Sequence, residues 1–253
     1  MRSDSPLPIP RPDRASGPLG RALARVSTGV RTTSDQVQPW GAYWDDHNEV
    51  TLGGLRAAPG PWWVTLGDSC AQGIGAGSPE RGWAGQVMDA IDRPWFNLSV
   101  SGATTSDLLA VQLPALQGLI GLLGVPETIA VAIGANDLFR SPNIARFSRA
   151  FREIGEALPE TRVLLALPPH APISLLGIAA DRTVRIVAAD HGYEVVDINR
   201  YYRAPYRGLV AADRFHPNES GYQAWSRAFA DALTPADDPL DRREPPEARI
   251  TPR

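Results

Sequence analysis

From residue 62 onward the chain alternates between two hydrophobic rhythms. The runs WWVTLGD (62–68), WFNLSV (95–100), ETIAVAIG (127–134), RVLLALP (162–168) and YEVVDI (193–198) are strand-length and mostly apolar, as strands covered on both faces should be. Between them, near 81–92, 106–120, 143–157 and 174–190, and again near 218–232, the pattern predicts helices. Strand and helix alternating in this way imply a parallel sheet with helices on both faces. Sites in such folds lie beyond the carboxyl ends of the strands.

The flanks read differently. Residues 1–20 and 234–253 are rich in Pro and charge with little to bury, and both are expected to be disordered tails. Between them and the main domain (58–233), residues 21–57 form a helical arm in this reading. Its LGRALARV stretch has helical spacing, and Trp40, Tyr43, Trp44 and Asn48 share a face that packs on the core, the aromatics acting as staples.

Composition narrows the function. A chain of 253 residues suits one substantial α/β domain with tails. Its net charge of −3 gives no sign of a nucleic-acid partner. All 25 basic residues are Arg; without Lys there is no Walker A loop, no Schiff-base lysine and no Ser-x-x-Lys arrangement. A single Cys70 excludes an internal disulfide, and His47, His170, His191 and His216 lack zinc-ligand spacing. No metal or organic cofactor is therefore expected. The N-terminus has no secretory apolar core and no stretch approaches the roughly 20 apolar residues of a membrane span, so the chain reads as cytoplasmic. Arg2, Arg11, Arg14, Arg21, Arg25 and Arg31 leave attachment to a membrane surface open.

Candidate chemistry sits at the strand ends. The first ends Gly67-Asp68-Ser69-Cys70, placing a hydroxyl where a rigid strand meets open space; alone, Gly-Asp-Ser is an ordinary turn. The second is followed by Gly102, whose backbone N–H can approach a developing oxyanion, and the third by Gly134-Ala135-Asn136-Asp137, whose Asn136 amide can do the same or simply cap the next segment. Before the last helix, which Pro217 or Asn218 begins, comes Asp213-Arg214-Phe215-His216. A carboxylate three residues from an imidazole can hold Nδ1–H and leave Nε2 to take a hydroxyl proton.

These four blocks, in order and each at its strand end, resemble those of the GDSL/SGNH hydrolases. The likeness covers roughly residues 60–232, and Cys70, where the family's four-letter name has Leu, is its one departure. The resemblance implies a three-layer α/β/α sandwich with five parallel strands, flavodoxin-like, and a serine hydrolase that cleaves a carboxylic ester through an acyl-enzyme. It makes Ser69 the nucleophile, His216 the base and then the acid, and Asp213 its orienter. The Ser69 and Gly102 backbone N–H groups and the Asn136 side chain would form the oxyanion hole, with Asp68, Gly67, Gly134 and Asp137 in support. The α/β-hydrolase fold fits less well, because Gly-x-Ser-x-Gly is absent.

Expected substrates are small-molecule, lipid or sugar esters. Acyl transfer to a sugar or alcohol is the nearest alternative, and a non-catalytic binding module a more distant one. Oligomeric state is not legible. Cys70 reads as a small buried residue rather than a rival nucleophile. The Gly73–Gly77 run is not a nucleotide loop, because Ser78 occupies the third glycine position. His170 and the Arg200–Arg207 loop, with Tyr201, Tyr202, Arg203 and Tyr206, are open between a place near the site and a solvated surface.

Overall fold

The computed structural model describes residues 6–10, 27–91, 93–139, 142–170 and 174–233. The expected tails at 1–5, 11–20 and 234–253, and the arm's first residues 21–26, lie outside the described residues. Five parallel strands, β1 (Trp63–Gly67), β2 (Trp95–Asn97), β3 (Thr128–Ala132), β4 (Arg162–Ala166) and β5 (Glu194–Val196), form one sheet in the order β2-β1-β3-β4-β5. This is the doubly wound, flavodoxin-like order, whose switch point lies between β1 and β3. The expected three-layer α/β/α architecture is what the chain adopts.

The helices are α1 (Thr28–Ala57), α2 (Trp83–Ala90), α3 (Thr105–Leu123), α4 (Ala135–Phe139), α5 (Ile144–Ala157), α6 (Leu175–His191) and α7 (Glu219–Leu233). Alternation along the strands assigns them to layers. Ile129, Val131, Val163 and Leu165 face one core with Leu116, Phe147, Phe151 and Val184 from α3, α5 and α6. Ala130, Ala132, Leu164 and Ala166 face the other, where small strand residues meet Trp83, Trp225 and Phe229 from α2 and α7. Trp83 and Phe229 stack with centroids 4.1 Å apart.

Some expectations need correction. Residues 6–10 do not behave as a tail, because Leu7 and Ile9 are buried in the first core. The sequence run after the third strand contains an additional short helix, α4. The 19-residue α3, with a mean hydropathy of 1.4, is long and apolar enough to cross a membrane, contrary to the reading above. Its Leu108, Leu113, Leu116 and Leu119 are buried in the first core, which accounts for the apolar composition.

The described part of the arm is one helix from Thr28 to Ala57, and its contacts are more polar than a staple requires. β2 is an edge strand, and unpaired strand edges invite association with other chains. Asn48 of α1 covers this one, donating from Nδ2 to Asn97 O at 2.8 Å and accepting Asn97 N–H at 2.8 Å.

Candidate active site

Ser69 lies two residues beyond the end of β1. Gly67 pairs with Ala132 of β3, and a Cβ on it would lie 2.5 Å from Ala132 O and 2.8 Å from Ala71 Cβ, so the chain can fold back here only on glycine. Gln112 is buried in a single π-turn of α3 (Leu108–Gln112). Its amide brackets Gly67, accepting the N–H at 2.8 Å and donating to the carbonyl at 2.7 Å. Beyond Gly67 the Asp68 carboxylate accepts Cys70 N–H at 2.9 Å, and Ile74 N–H donates to Ser69 O at 3.0 Å, coiling the loop behind the hydroxyl.

The loop before α7 meets it. Ser69 Oγ and His216 Nε2 are 2.9 Å apart, and His216 Nδ1 lies 2.6 Å from Asp213 Oδ2. The other carboxylate oxygen of Asp213 accepts Phe215 N–H at 3.0 Å and His216 N–H at 3.1 Å. Closing so small a ring puts Arg214 in the left-handed region at φ 59°, which costs about 1–2 kcal/mol and is offset by those bonds. Asn218 then caps α7 by accepting Gly221 N–H at 3.0 Å. Residues 147 positions apart thus form a continuous Ser–His–Asp chain of hydrogen bonds.

The remaining blocks meet one another beside Asp68, the neighbour of Ser69. Asn136 Nδ2 donates to Ala103 O at 3.0 Å, beside Gly102, and lies 3.4 Å from Asp68 Oδ2. Asp137 accepts the N–H and hydroxyl of Thr105 at 3.0 and 2.8 Å, tying the third strand end to the start of α3. Gly102 and Gly134 have φ values of 75° and 122°.

Electrostatics separates the carboxylates. Burial alone would raise the Asp213 pKa, but the hydrogen bond and charge of His216, with two backbone N–H donors, bring it down to about 2. Burial pushes Asp68 up to about 6, the Cys70 N–H and His216 only partly opposing it. Cys70 is buried and its thiol is pushed well up by desolvation; a nucleophilic cysteine needs the opposite shift.

A mainly apolar cavity of about 210 Å³ opens beside this chain, lined by Cys70, Phe139, Tyr202, Tyr206, Phe215 and Pro217 among others. Cys70 and Pro217 are the chain neighbours of Ser69 and His216. His170 also lines it while facing Asp181 of α6 at 2.9 Å. The tyrosine-arginine loop divides: Tyr202 and Tyr206 reach the cavity, whereas Tyr201 and Arg200 bond Asp231 on α7. A larger cavity of about 850 Å³, lined by Trp63, Glu127 and Arg162, lies at the amino ends of the strands and contains none of these residues. In doubly wound sheets chemistry belongs to the carboxyl ends.

The glycine run has a packing explanation. A Cβ on Gly75, at φ +100°, would lie 2.3 Å from Pro217 O and 2.9 Å from His216 Cβ. Gly75→Ala is therefore expected to destabilise the protein by about 2–4 kcal/mol and displace His216; circular-dichroism melting and ester turnover measure both effects.

Several buried amides had no sequence signal. Gln72 donates to Ser99 O at 2.8 Å and accepts the Ser101 hydroxyl at 2.7 Å, while Asn97 donates to Ala71 O at 2.9 Å. They stitch the first two strand ends together.

Comparison with known proteins identifies the family and the fold. The GDSL-like Lipase/Acylhydrolase family profile matches residues 65–224. No protein of curated function matches by sequence. Among solved structures the fold is similar to TesA, at 22% identity and TM-score 0.61 over 69% of this chain and 98% of that one. A member of the lipolytic G-D-S-L family from Veillonella parvula is 17% identical, with TM-score 0.57 over 70% and 100% of the two chains. An acetyl-xylooligosaccharide esterase from Geobacillus is 20% identical, with TM-score 0.54 over 69% and 94%. The matched stretch takes in the Ser69, Asn136 and His216 blocks and more than half of the sequence: the chain belongs to the GDSL-like lipase/acylhydrolase family.

Proposed function

We propose that the protein hydrolyses carboxylic esters through an acyl-enzyme on Ser69. The observation that carries this reading is the unbroken line of hydrogen bonds from Ser69 Oγ through His216 to Asp213. His216 Nε2 takes the hydroxyl proton as Oγ attacks the acyl carbon, then returns it to the leaving alcohol. Asp213 keeps the proton on Nδ1 and stabilises the imidazolium. The backbone N–H groups of Ser69 and Gly102 receive the oxyanion, joined by the Asn136 amide as it turns one N–H away from its long 3.4 Å contact with Asp68, a donor of this kind being worth on the order of 10²–10³ in rate. Water then repeats the cycle on the acyl-enzyme.

The cavity beside Ser69 is the seat for the acyl chain. At roughly 30 Å³ per small group, its volume of about 210 Å³ holds about seven heavy atoms. Each methylene buried there contributes about 0.8 kcal/mol. With p-nitrophenyl esters, kcat/KM is expected to rise about three- to fourfold per methylene from acetate and level off near hexanoate. A series that is flat or falls from acetate would contradict this acyl seat. Product analysis with glycerol present tests hydrolysis against transfer; free acid is the expected main product, and acylglycerol in excess would reverse that assignment.

A further inference from the structure

Helix α1 lies outside the stretch matched by the family profile, yet it touches both loops that bring Ser69 and His216 together. Side chains four residues apart share one helical face. Along that face Trp44 Nε1 donates to Gln72 O at 3.1 Å and Trp40 Nε1 to Gly73 O at 3.3 Å. Gln36 grips two successive residues, accepting Gly75 N–H at 2.8 Å and donating to Ala76 O at 2.9 Å. In its first turn the same helix abuts the Asp–His loop, where a Cβ on Gly29 would fall 2.2 Å from Ala212 O and 2.9 Å from Asp213 N.

Gly75, one of the two residues gripped by Gln36, is the one against His216. Gly75 is wedged on Pro217 O and His216 Cβ, and the preceding residue, Ile74, donates its N–H to Ser69 O. This loop belongs to no strand or helix; backbone bonds such as Ala76 N–H to Gly73 O at 3.0 Å hold part of it, and Gln36 supplies the partners of Gly75 N–H and Ala76 O. We propose that Gln36 is a positioning residue of the hydrolytic site: by clamping Gly75 and Ala76 it fixes the wedge that keeps His216 within reach of Ser69. The inference rests on the hydrolase reading above. Each clamp bond is individually modest, but a misplacement of about 1 Å in a reacting pair costs on the order of 10² in rate. Gln36 is not among the residues lining the acyl cavity, so its loss acts on turnover rather than on substrate binding.

Gln36→Met keeps side-chain length and removes both bonds. It is expected to lower kcat on p-nitrophenyl butyrate, and the rate of fluorophosphonate labelling at Ser69, about tenfold each, with KM within about twofold. Gln36→Glu retains an acceptor for Gly75 N–H and recovers part of the loss, while Gln38→Met, at an exposed position of the same helix, leaves both rates unchanged. Parental kcat and labelling rate in Gln36→Met would overturn the proposal. Should that variant fail to fold, Gln36→Asn keeps the amide but draws it back from Gly75 and Ala76 by one methylene; about threefold slower labelling supports the proposal and parental labelling overturns it. The downfield proton resonance of the His216–Asp213 hydrogen bond gives a readout independent of hydrolysis. It shifts or broadens in Gln36→Met even if the parent cleaves no ester, and an unchanged resonance contradicts the positioning role.

Discussion

Replacing Ser69 by Ala is expected to lower kcat on a short p-nitrophenyl ester by about 10⁴–10⁶. The fold should survive, because the change removes one hydroxyl whose hydrogen-bond partner is His216 Nε2, a contribution of about 1 kcal/mol. For a chain of this size that shifts the melting temperature by only about 2–4 °C. The two numbers are far apart, so paired turnover and melting measurements separate chemistry from unfolding. Turnover equal to the parent's would remove Ser69 from the mechanism.

Asp213→Asn is expected to be nearly as costly, about 10⁴ in kcat. The carboxylate accepts His216 Nδ1–H at 2.6 Å and two backbone N–H groups. An amide fills the same space but holds the imidazole in the wrong tautomer, leaving no free Nε2 lone pair for the Ser69 proton. The same substitution carries a stability signature with a defined sign. Asp213 has its pKa lowered from an ordinary 3.8 to about 2, so the folded state holds fewer protons than the unfolded chain across that interval. Its contribution is complete above the unfolded value and disappears as pH falls through the folded one. Allowing for solvent screening, it amounts to about 1–2 kcal/mol. In urea titrations, the parent should exceed Asp213→Asn by a constant margin from about pH 5 upward, the margin closing toward pH 2. A margin independent of pH would show that the carboxylate charge is not what holds the loop.

Catalysis and burial wrote different amounts into the sequence. Strand positions were legible because residues such as Ile129, Val131, Val163 and Leu165 must be apolar on covered faces, and the strand-end blocks because a hydroxyl, an imidazole, a carboxylate and an amide cannot be exchanged without losing the proposed chemistry. The supports were not legible. Gln36, Gln72 and Gln112 look like ordinary polar positions, and their partners lie between 27 and 45 residues away. Only the folded chain reveals that these amides satisfy backbone groups around Ser69 that neither sheet nor helix pairs. Leu7 and Ile9 were missed for a related reason: two isolated apolar residues among prolines have no period, although both are buried.

The central claim is that His216 activates the Ser69 hydroxyl, and a fluorophosphonate probe reads this directly because it reacts with an activated serine without requiring a fitted substrate. Intact-mass analysis of the full chain should show a single adduct, mapped by digestion to the peptide containing Ser69, with labelling slowed by orders of magnitude in His216→Ala. A parent protein left unlabelled under conditions that saturate a control serine esterase, or one labelled equally fast without His216, would contradict it.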